Sequence, residues 1–304
     1  MRVSPRLPGF VALETIPVLA GVKKGASIQI DSTYFEGNIE AVRDLGSYQN
    51  RERGLHQSYK MLTGLRVEPE SFDDESLMST SDEMRDALSQ IPEIPFLEDE
   101  HPGDSFTVPE WVRHAKSLNY GARTYFFGSD SDVDPSEILR RNVEAVVSDE
   151  ERGFERYQGT LHGYPDCCVE GFGERTRDDP PEWRSVEPLS DSLNEDLVGE
   201  ASLEEILPGV FDSDDYIYAF FSREFFPEPD CENAIEKGRQ VYDALTDVVS
   251  EDLVRDYFRL NYVYSHEVAR SVVDGETGGR PDPGSLSHEH LDFYYPFGEL
   301  LKKY

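Results

Sequence analysis

The stretch Ala122-Arg-Thr-Tyr-Phe-Phe-Gly128 decides the fold class of this chain. Its β-branched and aromatic residues, closed by a glycine, predict a β-strand. Shortly after it, Asp134-Pro-Ser-Glu137 has the pattern of a helix start. Asp134 is the expected N-cap, Pro135 the first helical residue and Glu137 the partner that closes a capping box. A strand is therefore followed closely by a helix.

Helical periodicity outweighs strand signals in the rest of the chain. Apolar residues at three- and four-residue steps predict an N-terminal helical region over 1–67, with two helical stretches between Ile39 and Met61 broken near Gly46. An apolar stripe from Ile235 to Val249 and another that begins at Leu253 predict two C-terminal helices. The expected fold class is α+β, helix-dominated with a small β-sheet. The predicted core comprises Leu139, Val143, Ile235, Val241, Leu245, Val248 and Phe258.

The composition is strongly acidic. The 304 residues include 62 Asp and Glu against 29 Lys and Arg, a formal net charge of -33. Because 38% of the residues are hydrophobic and 12% aromatic, the chain can bury a core, which excludes wholesale disorder. Only seven of the basic residues are Lys. Such a composition indicates a halophilic protein with molar salt as its solvent, since at about 1 M salt the Debye length is roughly 3 Å and carboxylate repulsion is largely screened.

The sequence also bears on location and partners. No apolar run approaches the roughly 20 residues that span a bilayer, and no signal-peptide pattern is present, so we expect a cytoplasmic protein without a membrane partner. The chain has three cysteines, an odd number and too few for a disulfide-stabilised scaffold, which agrees with a reducing compartment. The net negative charge argues against nucleic acid as a binding partner. This argument is a weak one, because the acidity of the whole chain can mask a local basic patch. There is no nucleotide-binding or serine-hydrolase motif of the GxxxxGK[ST], GxGxxG or GxSxG type.

Residues 68–108 are predicted to be an acidic connector or insertion. Thirteen acids, four prolines and one base, Arg85, lie between residues 68 and 104. This composition predicts a solvated stretch with one helix at Asp82–Gln90.

Residues 109–304 are predicted to form the main α+β domain. A helix from Trp111 through Leu118 is expected to lead into the strand. A second acidic linker is predicted near 177–200, and a Gly/Pro-rich loop over 274–283. The aromatic segment 293–297 is expected to dock back onto the domain.

The cysteines are the main functional signal. Cys167 and Cys168 are adjacent, within Gly163-Tyr-Pro-Asp-Cys-Cys-Val-Glu-Gly-Phe172. Pro165 suits the first helical position and Asp166 the positive end of the helix dipole, so both thiols are expected in a first helical turn. A thiolate is stabilised there and its pKa falls.

Cys231 also lies at a predicted helix start, with Asp230 as its N-cap. If the two helix starts converge, three thiols share one electropositive corner. His162 is then the nearest nitrogen for a tetrahedral sulfur and nitrogen site for zinc or iron. The sulfurs of Cys168 and Cys231 must lie within about 8 Å of each other to share one metal, because Zn–S bonds are only about 2.3 Å long.

The Gly-Tyr-Pro-Asp-Cys-Cys string resembles the signature of an uncharacterised archaeal family, domain of unknown function 483. That family has a downstream stretch similar to His-Phe-Pro-Cys-x-x-x-Cys, where this chain has Glu224-Phe-Phe-Pro-Glu-Pro-Asp-Cys231. The last cysteine is kept, but Pro227 replaces the earlier cysteine and Glu224 the histidine. The resemblance implies a site in which Glu224 or Glu228 supplies an oxygen ligand, or one that has lost its metal. It implies no established activity.

Three interpretations of the cysteines stay open. In a metal-binding or catalytic site, a thiolate is ligand or nucleophile, His162 transfers protons and Glu224 or Glu228 is a ligand or base. In a non-enzymatic binding or scaffold protein, the cysteines are small hydrophobes in the core. The third interpretation is a vicinal disulfide or redox switch. The candidate metal ligands are Cys167, Cys168, Cys231, His162 and Glu224, and the catalytic candidates are Cys167, Cys168 and His162.

Two further predictions concern histidines elsewhere in the chain. The pair His288 and His290 could bind a metal if extended, but a solvated turn is the preferred interpretation. His266 is predicted to be a packing residue.

Overall fold

The computed structural model describes residues 7–44, 49–114, 117–129, 131–174, 180–190 and 215–276. These residues form eleven α-helices, one 3-10 helix and three strands, which confirms the helix-dominated α+β class. The chain divides into two compact units, Met1–His162 and Gly163–Tyr304. None of the described helices is both long and apolar enough to cross a membrane.

The described part of the first unit holds a three-stranded antiparallel sheet and seven helices. In chain order they are α1 (Gly9–Leu19), β1 (Gly25–Ile30), α2 (Ser32–Asp44), α3 (Gln49–Gly64), α4 (Asp74–Ser89), α5 (Glu93–Glu100), β2 (Ser105–His114), β3 (Ser117–Phe127), α6 (Pro135–Ser148) and α7 (Glu151–His162). The strand order is β1-β3-β2. The predicted strand is the second half of β3, and it pairs with both neighbours: Phe126 lies opposite Ala26 and Ser105.

Helix α6 begins as predicted but with a different side-chain pattern. The Asp134 carboxylate accepts the backbone N–H of Ser136 at 2.9 Å, so Asp134 is the N-cap. The Glu137 carboxylate accepts from Arg140 and Arg141 and does not close a capping box. The buried face of α6 includes Leu139 and Val143, which belong to one core cluster with Tyr125 and Phe127 of β3.

The predicted helix over 111–118 is wrong, because residues 111–114 and 117–118 belong to the paired strands β2 and β3. Trp111 lies opposite Tyr120 and is 1% exposed. Its indole N–H donates to the Ser81 hydroxyl of α4 at 2.7 Å. The backbone N–H of Trp111 donates to the side-chain oxygen of Asn142, and the Asn142 side-chain N–H donates to the Trp111 carbonyl. These tertiary contacts override the local helical pattern. Strand β1, inside the predicted N-terminal helical region, was likewise absent from the sequence prediction.

The predicted connector over 68–108 is folded. Helix α4 begins at Asp74, well before the predicted Asp82, because the Asp73 carboxylate caps it by accepting the Ser76 N–H at 2.9 Å. Helices α4 and α5 and the turn between them bury Leu77, Met84, Leu88, Ile91, Ile94 and Leu97. A solvated connector is therefore the wrong description of this stretch, while the three-part domain division stays a prediction.

The described part of the second unit is helical. It comprises α8 (Asp166–Gly173), α9 (Pro181–Ser190), a 3-10 helix (Asp215–Ala219), α10 (Glu232–Thr246) and α11 (Glu251–Glu276). Helix α11 packs against α9, and α10 against the 3-10 helix. Gly238 permits that second contact, since a Cβ there would lie 1.7 Å from the carbonyl oxygen of Tyr218. Helix α9 lies inside the predicted acidic linker.

The predicted core residues divide between the two units. Val241, Leu245 and Phe258 are fully buried in the second unit, whereas Leu139 and Val143 are buried in the first. Ile235 is half-buried, and Val248 is 43% exposed, so Val248 is not a core residue.

The loop predicted over 274–283 begins inside α11, because that helix continues to Glu276. The rest of the predicted loop and the aromatic segment 293–297 lie outside the described residues.

Candidate functional site

Helix α8 places two of the three cysteines in its first turn, as the sequence predicts. Pro165 is the N-cap residue, one position before its predicted place, and Asp166 opens the helix. The Pro165 carbonyl accepts the backbone N–H groups of Cys168 and Val169 at 2.9 and 3.0 Å. Cys167 is exposed and Cys168 is 1% exposed. The two neighbours therefore differ sharply in their access to solvent.

Cys231 is itself the N-cap of α10, and Asp230 is not. Asp230 has a φ of 52°, a left-handed conformation that aspartate tolerates better than most residues. The turn is closed by the Cys231 N–H, which donates to the Glu228 carbonyl at 3.2 Å. The Cys231 carbonyl then accepts from Ala234 at 3.0 Å and starts the helix. This left-handed turn places the N-cap at Cys231, one residue after the predicted Asp230.

The three cysteine sulfurs converge. Among the described residues, the Sγ atoms of Cys167, Cys168 and Cys231 form a group in which all ligand atoms lie within 4.8 Å of one another. The Sγ atoms of Cys167 and Cys231 are 3.2 Å apart. Four ligands at the usual Zn–S distance in a tetrahedron would be about 3.8 Å apart. Small side-chain adjustments therefore suffice for all three sulfurs to bind one ion.

Hydrogen bonds make the three thiols unequal. The Cys168 sulfur accepts the Glu228 backbone N–H at 3.4 Å, and the Cys167 sulfur accepts the Asn233 side-chain N–H at 3.5 Å. Burial raises the pKa of Cys168 strongly. Burial also acts to raise the pKa of Cys167, but hydrogen bonds from Asn233, Cys231 and Cys168 outweigh it and lower that pKa. Burial and the hydrogen bond to Cys167 raise the pKa of Cys231. Cys167 is thus the sulfur most suited to carry negative charge.

An arginine from α9 holds the two cysteine-bearing segments together. The Arg184 guanidinium donates to the Gly171 carbonyl of α8 at 3.0 Å and to the Glu228 carboxylate at 3.1 Å. The Glu228 side chain lies so close to α8 that a Cβ on Gly171 would be 1.9 Å from its Oε1 atom. The buried Tyr216 hydroxyl lies 2.8 Å from the Ser185 carbonyl oxygen and 3.5 Å from that of Glu228. These contacts position the backbone N–H that meets the Cys168 sulfur.

The sequence did not single out Arg184, Tyr216 or Asn233, because their roles depend on tertiary contacts. Gly171 carried a usable signal. A glycine inside a predicted helix costs helix stability relative to alanine and often marks a close contact.

The other predicted site residues lie in different surroundings. Glu224 is not a member of the three-sulfur group, and its carboxylate pairs with Arg223 at 3.1 Å. Glu228 bonds Arg184 through its carboxylate and meets Cys168 through its backbone. His162 belongs to the first unit, where it is buried with its ring 6.3 Å from that of Tyr125. The roles of His162 and Glu224 stay predictions.

The predictions for the other histidines have separate outcomes. His266 is fully buried on α11 beside the rings of Trp183 and Tyr262, which confirms a packing position. His288 and His290 lie outside the described residues.

Comparison with protein-family models, curated proteins and solved structures gives no match to this chain. The resemblance to domain of unknown function 483 therefore stays a prediction. The candidate site stands on the geometry of its own residues, chiefly the convergence of Cys167, Cys168 and Cys231.

Proposed function

We propose that the chain is a thiolate metal-binding protein in which Cys167, Cys168 and Cys231 hold one zinc ion. The observation that carries this proposal is the mutual distance of the three sulfurs, all within 4.8 Å. Thiolates favour zinc, copper(I) and iron–sulfur clusters. Cys-ligated iron–sulfur clusters use four cysteines, and this chain has three. Zinc accepts three protein ligands and an open fourth position, so zinc is the first ion to test and iron the second.

Core packing is a poorer account of the same cysteines. A free cysteine that serves as a small hydrophobe is expected to be buried. This describes Cys168, at 1% exposure, but Cys167 is exposed and Cys231 half-buried. A scaffold function alone gives no reason for an exposed thiol to lie 3.2 Å from another sulfur.

His162 and Glu224 are the proposed secondary members of the site. A nitrogen or oxygen ligand would complete a tetrahedral set around zinc. Glu224 would exchange its ion pair with Arg223 for the metal. Without either residue, the fourth position is open to water or substrate, and bound zinc would then act there as a Lewis acid.

Thiol-dependent catalysis by Cys167 is the second candidate function. The residue is exposed, lies in the first turn of α8 and accepts a hydrogen bond from Asn233 at 3.5 Å. Helix N-termini and hydrogen bonds of this kind favour the thiolate, which is the nucleophilic form of cysteine. Cys167 would be the nucleophile, and no substrate class is proposed.

We also propose a setting for this function. The net charge of -33 supports a halophilic protein that works in molar salt, where close carboxylates repel less. The small, odd number of cysteines supports a reducing, cytoplasmic compartment. The similarity to domain of unknown function 483 supports an archaeal origin, since the shared string contains the first turn of α8 with Cys167 and Cys168.

The test is metal stoichiometry. Protein purified under reducing conditions in molar KCl is analysed for zinc and iron, then stripped and titrated with zinc. We expect one zinc per chain in the wild type and loss of stoichiometric binding in Cys167→Ser and Cys231→Ser. Absence of stoichiometric metal, together with thiols that resist alkylation in the folded protein, would contradict both candidate functions.

Two kinds of variant control this test. Asp166→Ser changes an exposed residue in the same helical turn but keeps all three sulfurs, so we expect it to bind zinc. His162→Gln and Glu224→Gln test the secondary members. A loss of affinity in one of them with an unchanged melting temperature identifies that residue as the fourth ligand.

A further inference from the structure

We propose that Cys167 is an oxidation site with Cys231 as its resolving thiol, so that a hydroperoxide converts the two into a disulfide. The bridge would remove two of the three sulfurs from the candidate metal site. Bridge formation is independent of metal binding, whereas the resulting release of metal rests on the proposed function.

The distances between the sulfurs and between the Cα atoms determine which cysteine can form a disulfide with Cys167. Its sulfur lies 3.2 Å from that of Cys231, and a disulfide requires about 2.05 Å, which side-chain rotation can supply. The competing bridge to Cys168 is disfavoured by geometry. Adjacent Cα atoms are about 3.8 Å apart, below the range of about 4.4–6.8 Å that disulfides usually span. Cys231 is therefore the favoured partner.

The three cysteines differ in how accessible they are to a dissolved oxidant. Cys167 is exposed, Cys231 is half-buried and Cys168 is 1% exposed. Oxidation of cysteine follows exposure, so a small peroxide reaches Cys167 first. Cys231 is then close enough to react before the oxidised sulfur meets further oxidant. An exposed cysteine with a nearby resolving cysteine is the usual arrangement of a redox-sensitive pair.

The chemistry balances with a hydroperoxide as the oxidant. The Cys167 thiol reduces the O–O bond, giving a sulfenic acid at Cys167 and an alcohol, or water from hydrogen peroxide. The Cys231 sulfur then attacks the Cys167 sulfur. The S–S bond forms, the S–O bond breaks, and the hydroxyl group leaves as water with the Cys231 proton. The two thiols have then lost two electrons, which the peroxide has gained.

The bridge and the metal compete for the same sulfurs. Once Cys167 and Cys231 are joined, Cys168 is the one remaining thiol of the group. A single thiolate cannot replace a three-sulfur site, so oxidation is expected to release the ion. Reduction by a thiol would restore the site.

The test begins with metal-free, fully reduced protein. Hydrogen peroxide is expected to lower the free thiol count from the three of the reduced chain to one, and peptide mapping should find Cys167 joined to Cys231. In Cys231→Ser, dimedone should trap a sulfenic acid at Cys167. Cys168→Ala should keep the bridge, provided that circular dichroism shows a folded chain. A bridge between Cys167 and Cys168, a bridge between two chains, or an unchanged thiol count would overturn the proposal.

A zinc-loaded sample separates this inference from the proposed function. Release of one zinc per bridge formed supports both. If the bridge forms in metal-free protein but zinc never binds, the oxidation site stands and the metal function fails. If zinc binds but no bridge forms in metal-free protein, the oxidation proposal alone fails.

Discussion

Replacing Gly171 with alanine should weaken zinc binding with little effect on stability. The new Cβ would lie 1.9 Å from Oε1 and 2.3 Å from Cδ of Glu228, so the Glu228 side chain must leave the surface of α8. Its ion pair with Arg184 at 3.1 Å would then break. The Glu228 backbone N–H, 3.4 Å from the Cys168 sulfur, would lose the side-chain anchor that positions it.

The size of each effect follows from these contacts. The Arg184–Glu228 pair is partly exposed, at 22% and 29%, so its loss costs at most about 1 kcal/mol. Alanine gains roughly the same amount in helix propensity over glycine, and the two effects nearly cancel. Loss of a group that orients a metal ligand typically lowers affinity by about 10- to 100-fold. Because the Glu228 N–H remains in the chain, we expect the Kd for zinc to rise by about tenfold, which is a loss of about 1.4 kcal/mol of binding free energy.

The assay is competition for zinc against a chromophoric chelator in reducing, molar KCl buffer, with melting curves of the metal-free protein. Gly153→Ala in α7 is the control, since its added Cβ has no atom within 4 Å apart from its chain neighbours and its own helix backbone. The zinc Kd of this variant should equal that of the wild type. In a Glu228→Ala background, Gly171→Ala should have no further effect. Unchanged affinity in Gly171→Ala, or an equal loss in that background, would refute this account of the site.

Three further predictions concern stability. Gly238→Ala places a Cβ 1.7 Å from the carbonyl oxygen of Tyr218, so it should destabilise the fold by about 1–3 kcal/mol or more, read as a lower melting temperature than that of Gly153→Ala. His101 is buried, and its Nε2 atom forms a hydrogen bond with the Phe127 carbonyl at 2.8 Å. Burial lowers the pKa of His101, and this effect exceeds the opposing effects of that hydrogen bond and of the nearby Asp104 charge. The unfolded chain then takes up the proton first, so stability should fall as pH decreases below about 6.5, and this slope should be smaller in His101→Gln. Raising KCl from about 0.1 M to molar levels should raise the melting temperature, because salt screens the repulsion between carboxylates in a chain of net charge -33. A melting temperature that falls or stays unchanged would show that the charge was misinterpreted.

Local signals predicted the parts of the fold that local chemistry determines. The β-branched and aromatic run at Ala122–Phe127 is in β3, and the N-cap at Asp134 begins α6. The helix predicted over 111–118 was wrong because the strand conformation of its described residues comes from the pairing of β2 with β3 and from the contacts of Trp111 with Asn142 and Ser81. The acidity of 68–108 concealed the three- and four-residue spacing of the buried Met84, Leu88 and Ile91. Acids such as Asp82 and Glu83 lie on the exposed side of helix α4.

The features of the candidate site likewise fall into those that local sequence predicts and those that depend on distant contacts. Helix-start chemistry predicted the first-turn positions of Cys167 and Cys168 and placed Cys231 at the start of another helix. Whether these helix starts meet depends on contacts far apart in sequence, such as that of Arg184 with Glu228. The left-handed turn at Asp230 is a backbone choice that residue type alone does not specify.

The most direct test of the three-sulfur site is the X-ray absorption spectrum of the zinc-loaded wild type in molar KCl. We expect one zinc per chain with three sulfur neighbours at about 2.3 Å and one lighter neighbour. The three sulfurs are those of Cys167, Cys168 and Cys231. A first shell made mainly of nitrogen and oxygen, or the same spectrum from Cys231→Ser, would contradict the central claim.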